Sequence, residues 1–279
     1  MKYFLTLIIS LFFLIKMNAQ PNCEAYKYYG DTLKYKACKK AEEMNKYYQF
    51  DKRFQQKLDE AIDIDSTFAY AYREKSVAYL KSGDFITWKI LIDKAVKFDF
   101  KDNLGYRGWC RYHYFRDYKG AIKDIEKLDS LVDYDIGMSM NGDYHLNITK
   151  AICYKAIGEK QKAIKIIENQ LTTKGYYVGL FDYFHLGVWY LENSQFKKAL
   201  MTFEKQINEN DLAEVHYYMA LTYKKIKDIS NYKEQLEIAK TMYNEKKVLF
   251  DDYTHHFDKI HLIDIENEIK TAYNNQYKQ

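Results

Sequence analysis

Apolar residues along this chain recur at intervals of three and four, in paired runs separated by short polar turns. The clearest pair reads Tyr72-(x6)-Tyr79-(x3)-Gly83-Asp84-Phe85-(x2)-Trp88-(x3)-Ile92-(x2)-Ala95. That spacing gathers the apolar positions on one face of each of two helices. Ser82-Gly83-Asp84 breaks the run and predicts the turn of a helical hairpin. The pattern returns at Tyr183-(x2)-Leu186-Gly187-(x2)-Tyr190 with Phe196-(x2)-Ala199-(x3)-Phe203. It returns again at Ala151-(x2)-Tyr154-(x3)-Gly158 with Ala163 and Ile167, and at Met219-Ala220-(x2)-Tyr223 with Ile229, Tyr232, Leu236 and Ala239. Tyr118-Lys119-Gly120-Ala121-Ile122 belongs to a fifth copy, and a degenerate one ends in Leu58-(x2)-Ala61.

Equivalent second-helix positions fall at Ala61, Ala95, Leu128, Gln170, Gln206 and Ala239, spaced by 34, 33, 42, 36 and 33 residues. Small residues at Ser76, Ala151, Gly187 and Ala220 let paired backbones approach. This array resembles the tetratricopeptide repeat, a unit of ~34 residues with aromatic, Leu-Gly, Tyr, Ala and Phe at these offsets. The resemblance covers roughly residues 35–246. It departs in one respect: the proline that usually ends a unit is missing, and Ser66, Phe100 and Asp211 stand near that place. The resemblance implies an all-α, right-handed superhelical solenoid of the kind found among exported bacterial proteins, binding a protein or peptide on its concave face. One hairpin cannot bury its apolar face alone, so neighbours must stack and the ends must be capped. Leu262, Ile265, Ile269 and Tyr273 form a stripe backed by Asp264, Glu266, Glu268 and Lys270, which predicts a C-terminal capping helix.

The expected organisation is a leader over 1–19, an N-terminal helical segment over 20–50, repeats over 51–246 and a loop with capping helix over 247–279. Lys2, the apolar run Tyr3–Ile15 and the small Ala19 have the form of a cleavable signal peptide. The run is too short to span a bilayer, so no stable membrane insertion is expected after cleavage. The protein is therefore expected in the periplasm or outside the cell. A lipoprotein is the lesser alternative, because Gln20-Pro21-Asn22 before Cys23 lacks a small apolar lipobox.

Composition narrows the function. Of 43 basic residues only Arg53, Arg73, Arg107, Arg111 and Arg116 are arginine, and the formal net charge is +4. Loss of Lys2 and Lys16 with the leader lowers it to +2. A near-neutral, arginine-poor chain is a poor nucleic-acid binder and has no polybasic cluster for an anionic membrane. Four cysteines without a CxxC exclude a thioredoxin-type motif and a zinc ribbon. Export permits a Cys23–Cys38 disulfide, while Cys110 and Cys153 fall inside helices and read as buried thiols.

No phosphate-binding glycine loop, metalloprotease helix or nucleophile elbow is present, so no catalytic residue and no cofactor is expected. The one histidine cluster, Asp251 to His261, offers imidazoles beside carboxylates. His256 and His261 are five apart, however, which suits a docking loop better than a helical metal site, and no metal is assigned. The 42-residue gap marks an insertion at about 131–143. Its Asp129, Asp133, Asp135 and Asp143 miss the EF-hand pattern and predict a solvated connector. Insertions in such arrays also tend to lie on the binding face.

By repeat register the concave wall comprises Tyr70, Tyr106, Ile148, Phe181, Phe184, Val188, Tyr217 and Leu221. An aromatic wall suits an extended or helical peptide; it also suits a sugar ring or small ligand. Arg107 and Arg111, four apart on one helix face, are candidates for clamping a partner's carboxylate. Counting from Ser76 puts Cys110 in the small-residue place of that helix, whereas counting back from Tyr118 puts Trp109 there. The functional expectation is a non-enzymatic interaction module.

Overall fold

The computed structural model describes residues 21–251 and 253–274, so the expected leader lies outside the described residues. Fourteen α-helices follow one another, and no strand is found among the described residues. They are α1 Cys23–Tyr28, α2 Thr32–Glu42, α3 Lys52–Ile64, α4 Ala69–Ser82, α5 Phe85–Phe98, α6 Phe100–His113 and α7 Tyr118–Leu131. Then come α8 Leu146–Ala156, α9 Lys160–Thr172, α10 Asp182–Glu192, α11 Phe196–Glu209, α12 Ala213–Lys225, α13 Ile229–Asn244 and α14 Leu262–Asn274. Two compact units result, one ending at Asn103 and the other beginning at Leu104.

Aspartates start many of these helices. The carboxylates of Asp31, Asp51, Asp84, Asp117 and Asp228 each accept a backbone N–H from the first turn of the helix they precede. These bonds satisfy donors that a helix start would otherwise leave orphaned. Gly83, at φ 82°, takes the left-handed conformation that closes α4 and turns the chain into α5. Asp caps therefore start these helices and Gly83 ends α4.

In the first unit a disulfide joins Cys23 to Cys38, with Cα atoms 5.5 Å apart, pinning α1 to α2. Their core includes Ala37, Ala41, Phe54, Leu58, Ala61, Phe68 and Ala71. Cys110 and Cys153 are buried and unlinked.

In the second unit the small residues do what the repeat pattern asks. A Cβ on Gly187 would lie 2.5 Å from the Phe203 ring, so only glycine lets α10 and α11 close. Ala151, Ala199 and Ala220 are fully buried. In α6 two glycines pack closely on neighbouring helices. Gly108 makes one of these approaches, where a Cβ would sit 3.0 Å from Ile125 of α7, and Cys110 and Trp109 are core residues beside it. The capping helix α14 buries Ile265 and Ala272 against α12 and α13. Ile265 and Ile269 pack inward as the expected stripe requires, and only its end differs, with Ala272 buried in place of Tyr273. Tyr273 stays exposed, and Glu268 points inward to accept the Tyr232 hydroxyl at 2.6 Å.

No described helix is long and apolar enough to cross a membrane.

Candidate functional site

Within the second unit, the face lined by the first helices of the hairpins is already covered. Residues 249–251 and 253–260 leave helical geometry and run across it as a strap. The strap begins where Ala213 N–H donates to Lys247 O at 2.9 Å and Leu249 N–H donates to the buried Glu214 carboxylate at 3.1 Å. Arg116 donates to the His255 carbonyl, and the Tyr218 hydroxyl donates to the Asp258 carbonyl at 3.2 Å. His256 packs edge-on against Phe181, with ring centroids 5.0 Å apart. Leu249, His256 and Ile260 are buried on arrival.

A four-residue polar relay locks the strap. His185 Nδ1 lies 2.9 Å from Asp258, and His185 Nε2 lies 3.0 Å from the Tyr144 hydroxyl. That hydroxyl is 2.9 Å from His256 Nδ1, whose ring partner Nε2 lies 3.0 Å from the Phe250 carbonyl. A carbonyl only accepts, so His256 carries its proton on Nε2 and presents a bare Nδ1 to the Tyr144 O–H. The Tyr144 oxygen is then free to accept from His185 Nε2, and His185 Nδ1 faces the Asp258 carboxylate. Burial pushes His256 down to about 4, consistent with a neutral ring, and pushes the Tyr144 hydroxyl well above its ordinary range.

Tyr144 follows directly on the insertion, whose residues are mostly exposed as a solvated connector's would be, with Ser139 buried. The loop closes on itself through Ser139 N–H to Tyr144 O at 2.6 Å and Leu146 N–H to Gly137 O at 2.9 Å. His145 caps α8 through Asn147 N–H and meets Asp135 at 2.6 Å. Asp143, Asp251 and His256 bring ligand-type atoms within 4.8 Å of one another. Both His256 nitrogens are engaged, however, so the trio reads as a polar seam joining insertion and strap. Burial and the facing Asp251 raise the Asp143 carboxyl above the usual carboxylate range.

The expected open wall is therefore corrected at most of its positions. Ile148, Phe181, Phe184 and Val188 are buried, because the strap and the hairpin interior take their surface. Phe184 is a core residue packed on Tyr218, with centroids 5.8 Å apart. Tyr217 packs under α14 beside Ile269, and Leu221 and Tyr106 are half-buried. Arg107 and Arg111 clamp their own chain. Arg107 Nε and Nη2 donate to Asp124 at 2.8 and 2.7 Å, and Arg111 Nη1 lies 3.0 Å from the same carboxylate. Asp124 is almost fully buried, so both guanidiniums serve to hold α7 against α6.

Of the expected wall residues, Tyr70 lines an open groove. In the first unit a cavity of about 370 Å³ is bounded by Tyr26, Tyr70, Phe98, Asp99, Asp102 and Asn103, with Lys34 and Arg73 on its rim. Of the relay residues, His256 and Asp258 lie in the histidine cluster that the sequence marks as a docking loop, whereas Tyr144 and His185 were not picked out. Tyr144 is one of 29 tyrosines, and no spacing links positions 144, 185 and 256.

No family model and no curated protein matches the sequence. Solved structures do match, and they are helical-repeat proteins. PilF of Pseudomonas aeruginosa aligns over 77% of this chain and 91% of its own, at 12% identity and TM-score 0.56. PilW, a type IV pilus biogenesis factor, aligns over 79% of this chain and 89% of its own, at 12% identity and TM-score 0.56. YrrB, described as a TPR protein with an unusual peptide-binding site, aligns over 79% of this chain and 97% of its own, at 15% identity and TM-score 0.53. The chain has the tetratricopeptide-repeat fold.

Proposed function

We propose that this chain is a non-enzymatic interaction module that seats extended polypeptide on the faces of its first helices. The observation that carries the reading is the strap. Residues 249–251 and 253–260 lie across such a face through backbone carbonyls, backbone amides and buried side chains, which is how a bound peptide is held. The second unit is occupied by its own chain, so a partner's peptide docks in the open groove beside Tyr70. Export to an oxidising compartment accompanies this reading, and the Cys23–Cys38 disulfide supports it.

A photo-crosslinking amino acid at position 70 tests the reading in the native host, with the exposed Ile90 on α5 as the control position. Discrete protein adducts from position 70 and none from position 90 are expected. Equal labelling at both positions, or none at 70, overturns it.

A further inference from the structure

The first-unit groove is lined by two cations, Lys34 and Arg73, and two acids, Asp99 and Asp102, but the two sets differ in what they already meet. Its cations are already spent: Lys34 Nζ sits 3.1 Å from Asp31, and Arg73 Nη2 sits 3.0 Å from Glu74. Its acceptors are not. Asn103 is almost fully buried, and its Nδ2 donates to the Asp99 carbonyl at 2.8 Å. That bond fixes which way the amide points. Its Oδ1 is left buried with no hydrogen-bond partner. A buried acceptor left unmet costs about 1–3 kcal/mol, so a bound donor recovers it. Beside it the Asp102 side chain lies in no ion pair and accepts no hydrogen bond among the described residues. Packing and the neighbouring Asp99 push its carboxyl above the ordinary range, against the opposing pull of Arg73 and Lys101. A bound cation would relieve both conditions at once. The walls suit one as well, since Arg73 already lays its guanidinium over one side of the Tyr70 ring, 5.3 Å from the centroid.

We propose that this groove recognises an arginine side chain of a polypeptide partner, its guanidinium donating to Asn103 Oδ1 and Asp102 between aromatic walls. The proposal rests on the peptide-binding reading above and adds the residue that the groove selects. A planar guanidinium carries several N–H donors in a fixed fork, which can reach an amide oxygen and a carboxylate together. An acidic side chain would face Asp99 and Asp102 and find the nearby cations already paired.

The test is an NMR titration of the full chain with three blocked amino acids: the N-acetyl methylamides of arginine, of its neutral isostere citrulline, and of glutamate. The arginine probe is expected to shift the Asn103 side-chain amide, with saturation in the millimolar range, about the strength of a single anchor. Citrulline is expected to bind at least about tenfold more weakly, as loss of a charge-assisted contact implies. Asp102→Asn, at an exposed side chain, is expected to remove the same preference while the rest of the spectrum is unchanged. Equal response to citrulline, preference for glutamate, or no shift at Asn103 overturns the proposal. The three probes on the parent chain decide the matter even where the variant is poorly folded. Crosslinking at position 70 without arginine discrimination sinks this assignment alone; absence of crosslinking sinks the peptide-binding reading itself.

Discussion

His185 of α10 and Asp258 of the strap meet at 2.9 Å across 73 positions of sequence, and both are buried. Asp258→Ala leaves a buried imidazole facing no acceptor, which costs about 1–3 kcal/mol, more for a charged ring. The cheapest relief is to release the strap. Hydrogen exchange is expected to speed up over 249–260 while the helices α8 to α13 keep their protection. Unchanged exchange in the strap counts against the relay as its lock.

Acid should release the same segment. His256 titrates near 4 in the folded chain and near 6.5 when free, because burial disfavours its charged form and His185 adds to the effect. Asp251 facing it works in the opposite direction, and nearby His113 is itself held low by burial. A depressed histidine contributes its full stability above pH 6.5 and loses it as pH falls through 4. The loss amounts to about 3 kcal/mol, at 1.36 kcal/mol per pH unit. Melting curves between pH 7 and 4 should show this slope, and His256→Gln should flatten it. A parent-like slope in the variant assigns the effect elsewhere.

Gly187→Ala tests the repeat register. The added methyl would meet the Phe203 ring at 2.5 Å, far inside contact distance. Overpacking of about 1–3 kcal/mol is expected, read as a lower denaturant midpoint with an unchanged slope. A midpoint equal to the parent's means the two helices close somewhere else.

The Asp124 clamp is structural. Asp124→Asn leaves two arginines around a buried, uncharged amide, and breaking a buried pair from one side costs about 3–5 kcal/mol. Stability is expected to fall, with crosslinking from position 70 unaltered in whatever protein remains folded. Loss of crosslinking without loss of stability would return Arg107 and Arg111 to the binding face.

Reduction should weaken the first unit. The bridge closes a loop with sequence separation 15, a constraint of about 3 kcal/mol. Denatured, unreduced protein should show two free thiols, those of Cys110 and Cys153. Four free thiols disprove the bridge.

The fold was legible because helical periodicity is local and six copies repeat it. Gly187 and Ala199 carry their burial in their neighbours three and four positions away. The binding face was not legible, because register tells which side of a helix faces inward and not what lies on it. Phe181 and Val188 do turn inward; the strap that covers them comes from some seventy residues further along. Arg107 and Arg111 do share a face, and the carboxylate they clamp is supplied by α7. Glu268 breaks the polar back of α14 because Tyr232 offers it a hydrogen bond that no amphipathic count includes. In each case a long-range partner, absent from the local pattern, decided the outcome.

The strap also sets a threshold. Fastened at Lys247 and again at Ile260, it returns to its seat as an intramolecular ligand, at an effective concentration in the millimolar range for so short a tether. A free peptide reaching for the second unit competes with that concentration before it gains any net affinity. If peptides bind as proposed, weak and abundant sequences would be screened out there, leaving the first unit to receive them.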